Sequence, residues 1–186
     1  MAEQNPGRPL ARTVPDAAAF ARTGCSLRFE DIAVGKLRLD EADFAPLLGF
    51  APPPSRTQIE QGGATYAWLA PGEWLITGSE ASVRAALEKA GENDLAFTLD
   101  ITHGRATFIL SGPEARTAIA SVSPLDTRDR AFAVGAVARS ILGETGMFIA
   151  RLPEEGGQPQ FRIIVDQTMA AYAVRMLGEP ATRSIR

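Results

Sequence analysis

Asp100-Ile101-Thr102-His103-Gly104-Arg105-Ala106-Thr107-Phe108-Ile109-Leu110-Ser111-Gly112-Pro113 lies near the middle of this 186-residue chain, and its reading decides the fold. Apolar and polar residues alternate through Phe97, Leu99 and Ile101 and again through Ala106, Phe108 and Leu110, with Thr102-His103-Gly104-Arg105 at the break. A period of two belongs to strands, whose successive side chains point to opposite faces. The stretch is therefore one long bent strand or two strands meeting at a kink. Ser111-Gly112-Pro113-Glu114 then starts a helix. Pro113 suits a first turn that needs no N–H, Glu114 complements the helix dipole, and Ser111 is expected to cap backbone N–H groups.

Upstream, Leu27, Phe29, Ile32, Val34, Leu37 and Leu39 recur mostly at two-residue spacing, which predicts a half-buried strand with a turn near Gly35. Asp40 caps a short helix through Leu48, stopped by Gly49 and the Pro52-Pro53-Pro54 run. That run and Gly62-Gly63 frame a loop expected to stay out of any regular ladder. Residues 64–69 and 74–77 form a hairpin around Ala70-Pro71-Gly72-Glu73, and Ser79 caps a helix with Ser82, Val83, Ala86, Leu87 and Ala90 on one face, ended by Gly91.

Downstream of the central stretch, Ala115, Ala118, Ile119 and Val122 give a helix its buried stripe, and the segment from Ser123 to Arg130 reads as an exposed loop. Residues 137–142 and 147–152 form a second hairpin around Gly143-Glu144-Thr145-Gly146. After a turn from Glu154 to Pro159, a strand runs over 161–165. A last helix spans 167–177 with Met169, Tyr172, Ala173 and Met176 inward.

Laid end to end, strand, helix, hairpin, helix, strand is followed by strand, helix, hairpin, strand, helix. The fold class is α+β: two fused halves, 27–103 and 104–178, each an antiparallel sheet with helices on one face, in a single domain over 27–178. Residues 1–26, rich in Pro, Ala and Arg without a steady period, read as a flexible arm, and 179–186 as a tail.

With 45% apolar residues, 22 acids against 19 bases and a net charge of −3 without a block of one sign, the chain offers no basic stripe for nucleic acid. Its longest apolar and glycine run, 131–138, is far below the ~20 residues that cross a bilayer. Pro6, Arg8, Pro9, Arg12, Pro15 and Asp16 break up any signal-peptide core, and the single Cys25 fits a reducing compartment, so a cytoplasmic location is expected. Cys25 reads as a small buried or half-buried residue, with no patterned base beside it.

His103 is the only histidine and the natural suspect for acid or base chemistry, but it lacks a patterned partner. Ser111, Asp100 and Asp126 are the residues a triad would draw in, and no nucleophile-elbow pattern surrounds the serine. One histidine and one cysteine cannot supply a zinc site. Asp40-Glu41-Asp43 looks like a helix start and Glu154-Glu155 like a solvated turn, and no GxGxxG or GxxxxGK[ST] pattern cradles a phosphate. No catalytic, cofactor or metal residue is assigned. The partner-interface candidates are Trp68 and Trp74, either core or anchors for a partner; His103; and Arg105, which could pair with a partner's acid or with Asp100.

At Trp68-Leu69-Ala70-Pro71-Gly72-Glu73-Trp74-Leu75, Asp100-Ile101-Thr102-His103-Gly104-Arg105-Ala106, Leu110-Ser111-Gly112-Pro113-Glu114-Ala115-Arg116 and Leu142-Gly143-Glu144-Thr145-Gly146 the sequence resembles the gamma subunit of heterotetrameric sarcosine oxidase, over about residues 27–178. The resemblance implies a fold related to the folate-binding part of the glycine-cleavage T-protein. It also implies membership of a complex that oxidatively demethylates sarcosine to glycine and passes the one-carbon unit to tetrahydrofolate. The implied partners are an alpha subunit carrying NAD, FAD and the folate site, a beta subunit sharing covalent FMN with it, and a zinc-binding delta subunit. The family's gamma chain brings no cofactor or catalytic residue to carry over. The expected role is stabilisation of the large subunit, without activity as an isolated chain. The rival readings are a free-standing folate-binding or aminomethyltransferase-like protein and a stand-alone homo-oligomer.

Overall fold

Among the described residues the alternation resolves into ten strands, β1 (Ser26–Phe29), β2 (Ala33–Arg38), β3 (Gln58–Gln61), β4 (Ala64–Ala70), β5 (Glu73–Gly78), β6 (Phe97–Asp100), β7 (Arg105–Ser111), β8 (Val137–Leu142), β9 (Thr145–Glu155) and β10 (Gln158–Asp166). Four α-helices accompany them: α1 (Glu41–Leu48), α2 (Glu80–Ala90), α3 (Ala115–Ala120) and α4 (Ala170–Gly178). The computed structural model describes Phe20 and residues 22–179. The expected arm therefore lies outside the described residues except for Phe20 and residues 22–26, and the tail except for Glu179.

The strands form two antiparallel five-stranded sheets, β3-β4-β5-β2-β6 and β8-β9-β10-β7-β1. Their inner faces meet through Val34, Ala67 and Leu75 on one side and Val137, Phe148, Ala150 and Ile164 on the other. α1 and α2 cover the outer face of the first sheet around Phe44, Tyr66, Trp74 and Val83. α3 and α4 cover the outer face of the second around Phe108, Ile119, Phe161 and Val174. The result is a four-layer α/β/β/α stack, because each sheet is apolar on both faces and must bury both.

The two sheet orders correspond strand for strand, with one exchange. β1, which opens the first half, pairs with β7 from Ser26↔Ser111 to Phe29↔Phe108. β6, which stands before β7 as β1 stands before β2 and so opens the second half ahead of the expected boundary at 104, pairs with β2 from Gly35↔Asp100 to Arg38↔Phe97. Each half thus lends its leading strand to the other's sheet. The central stretch is consequently two strands in different sheets, joined by a single 3-10 turn at Thr102–Gly104.

The expected turn near Gly35 is absent: Gly35 sits inside β2, where a Cβ would lie 3.0 Å from both Leu87 methyls, so glycine lets α2 approach the sheet. The strand is interrupted instead at 30–32, between β1 and β2. The loop expected after the proline run contains β3, paired with β4 from Gln58↔Ala67 to Gln61↔Ala64. Gly62 and Gly63 (φ 61° and 77°) form its two-residue hairpin turn. Glu154 and Glu155 belong to β9, and the turn there is Gly156-Gly157. The Ser123–Arg130 loop is less exposed than expected, since Thr127 is buried. The last helix buries Ala170, Ala173, Val174 and Leu177, with Tyr172 and Met176 flanking that stripe.

Candidate partner interface

The four candidates occupy different environments. Trp68 and Trp74 are register partners across β4 and β5 and so share a face of the sheet. Trp74 is fully buried, its ring 4.6 Å from Phe44 within a cluster that continues through Phe50 and Tyr66. Burial raises the Tyr66 hydroxyl pKa. Trp74 is therefore a core residue, and its buried Nε1 finds no acceptor among the described residues. Trp68 is half-buried and His103 is exposed on the 3-10 turn.

Arg105 does not pair with Asp100; its Nη1 donates to the exposed carboxylate of Asp166 at 3.0 Å. Asp166 caps the turn after β10 through Thr168, and those hydrogen bonds, with Arg105 behind them, hold its carboxyl below the usual range.

The residues a triad would use are each committed elsewhere. Ser111 shares a 2.7 Å hydrogen bond with Ser26 and does not cap α3, whose N-terminus has no side-chain cap. Asp100 accepts from the Thr102 N–H, and Asp126 accepts from the Arg128 guanidinium and backbone, which lowers its pKa. Cys25 is half-buried, with its thiol pKa raised by that burial. Among the described residues no group of three or more His, Cys, Asp and Glu gathers as a metal site would require, and no helix is long and apolar enough to cross a membrane.

Two charged clusters are built into the second sheet. Arg151 is wholly buried, lies over the Phe161 ring at 5.0 Å and donates to Glu154 and the Gln160 carbonyl. Arg116 on α3 joins this cluster through Asp129, which it bonds and whose pKa it lowers, and which also lies 3.8 Å from Arg151; Arg116 donates to the Thr127 carbonyl as well. Arg162 on β10 grips Glu30, between β1 and β2, through two hydrogen bonds of 2.7 and 3.0 Å, and its Nη1 lies 3.5 Å from Thr77 on β5. These clusters hold elements together.

The surface feature that the sequence did not single out is β6. Phe97 and Leu99 are 53% and 46% exposed on this edge strand, which no described strand pairs on its far side, and Leu95 in the turn before it is 83% exposed.

The described fold has close counterparts among solved structures. A chain of the heterotetrameric sarcosine oxidase from Corynebacterium sp. U-96, in complex with pyrrole 2-carboxylate, matches at TM-score 0.72 and 21% identity, over 87% of this chain and 86% of that one. The glycine cleavage system aminomethyltransferase T from Bartonella henselae matches at TM-score 0.61 and 14% identity, over 88% of this chain but 48% of that one, so this chain spans about half its length. No curated protein sequence matches significantly. At such identities the matches define a class, the α+β fold of two sheet-and-helix halves found in the T-protein. The sarcosine oxidase, gamma subunit family matches residues 40–182, most of both sheets, and the chain belongs to that family.

Proposed function

We propose that this chain is the subunit of a heterotetrameric sarcosine oxidase that supports assembly and leaves the chemistry to its partners. The family match across both sheets carries the reading. The complex oxidatively demethylates sarcosine to glycine and passes the one-carbon unit to tetrahydrofolate. The partners are alpha, beta and delta chains holding FAD, FMN, NAD, the folate site and zinc, and the setting is the cytoplasm.

The geometry agrees with a structural role. His103 stands exposed on its turn, and Ser111, Asp100 and Asp126 are each engaged by other groups. No observation favours the free-standing folate-binding reading.

The test is reconstitution. The isolated chain is expected to show no flavin absorbance and no sarcosine oxidation, and to co-purify when expressed with the cognate alpha, beta and delta chains. A stable, fully active complex assembled without it contradicts the proposal.

A further inference from the structure

β6 is built the opposite way round from its counterpart β1. In β1, Leu27 and Phe29 point to the helix-covered face, where Leu27 is buried and Phe29 packs edge-on against Phe108 at 6.0 Å. In β6, Thr98 opposes Leu37, whose side chain lies under α1 and α2, so the polar Thr98 and Asp100 take the helix side. Leu99 opposes Lys36 and Phe97 opposes Arg38, which puts both apolar side chains on the inner face, beyond the reach of the second sheet.

The charges around this edge are also divided by face. On the inner face Lys36 and Arg38 share the single carboxylate of Glu73 at 3.4 and 3.1 Å, leaving an excess positive charge beside Phe97 and Leu99. Arg38 remains 63% exposed. On the helix side a groove between α2 and β6 is lined by Glu80, Glu88 and Asp100 against Arg84 alone, an excess of negative charge.

We infer that β6 is the docking edge for a strand of a partner oxidase subunit, with apolar and acidic side chains facing Phe97, Leu99 and Arg38, and basic side chains facing Glu80, Glu88 and Asp100. The inference rests on the subunit reading above and adds to it the surface and the partner's chemistry. An open strand edge recruits a further strand through its backbone groups, and the side chains on the two faces select which strand. Opposite charge on the two faces also fixes the strand's orientation about its own axis.

The test is assembly of the full chain with the cognate alpha, beta and delta chains, using Phe97→Asp/Leu99→Asp and, as control, Ile141→Asp at the exposed edge strand β8. The β6 variant is expected to lose at least about 100-fold in affinity for the complex, as two central interface anchors would, with an unchanged melting temperature when isolated. The β8 variant should assemble like the parent. Equal assembly of parent and β6 variant overturns the inference while leaving the subunit reading standing, and failure of the parent to assemble overturns both. A β6 variant that only abolishes self-association identifies a second copy as the occupant, and one that melts early when isolated shows the strip to be covered by the chain's own residues; either result overturns the inference.

Discussion

The two halves share an element order and differ in how their chemistry is spent. The first half packs Phe44, Phe50, Tyr66 and Trp74 ring against ring beneath α1 and α2 and leaves its edge strand β6 apolar and bare. The second fills its outer core mainly with aliphatic side chains from β7, β10 and α4, adds the Arg151 cluster and turns the apolar residues of β1 toward its helices. A duplicated architecture therefore carries two corresponding edge strands of different character, β1 with its apolar residues under the helices and β6 with Phe97 and Leu99 in solvent. The exchanged strands β1 and β6 bind the halves to each other, and we propose that residues 27–178 behave as a single folding domain.

The largest effect expected on that arrangement comes from Phe44→Ala. Removing the hub of the aromatic cluster should cost about 3–5 kcal/mol. Because the halves are interlocked, urea midpoints from tryptophan fluorescence, which reports the first half alone, and from circular dichroism should fall together. Separated midpoints would show that the halves unfold independently.

Next comes Arg162→Met, which strands Glu30 in a site where both side chains are only about one-sixth exposed. A loss of about 2–4 kcal/mol is expected, with much of it recovered in the Arg162→Met/Glu30→Met double variant, because most of the cost lies in the carboxylate left without its partner. Additive losses in the double-mutant cycle would contradict this.

Ser79→Ala removes the cap that accepts the Ser82 N–H at 3.1 Å and should cost about 1 kcal/mol. α3 has no side-chain cap, so Ser111→Ala should leave its helix unchanged, a contrast that thermal melts of the two variants would read.

The smallest effect is a pH dependence. Asp166 has its folded pKa below the unfolded value near 4, so its contribution is present above about pH 4 and is lost as pH falls through the depressed folded value. Asp166→Asn should flatten the acid limb of stability and leave its neutral shape unaltered, as urea midpoints against pH would show.

Element order was legible because strand alternation and helix caps are local signals. Ser79, Asp40 and the Gly143 turn each act within a few residues, and each lies at the end of an element where the sequence pattern puts it. The assignment of strands to sheets was not legible in this way. Alternation continues past the crossing at 30–32, so β1 and β2 read as one strand bent at Gly35, although their partners lie about 80 and 40 residues away in β7 and β5. β3 was obscured by its polar composition, yet Gly62-Gly63 flanked by Ile59 and Ala64 carried a two-residue hairpin signal.

The interface candidates divided for a similar reason. An aromatic pattern shows which residues share a face and leaves open whether that face is covered, so Trp74 reads as a possible anchor and is core. Phe97 and Leu99 read as ordinary strand residues and are the exposed ones. Arg105 found Asp166, 61 positions away, a contact that only the packing of β7 against β10 creates.

Amide hydrogen exchange of β6 against β1, in the free chain and in the assembled oxidase, tests the central claim most directly. The account predicts that the amides of Ser26–Phe29 keep the same protection in both states, whereas those of Phe97–Asp100 exchange faster in the free chain and become strongly protected on assembly. Unchanged exchange at β6 in a complex that contains this chain would contradict it.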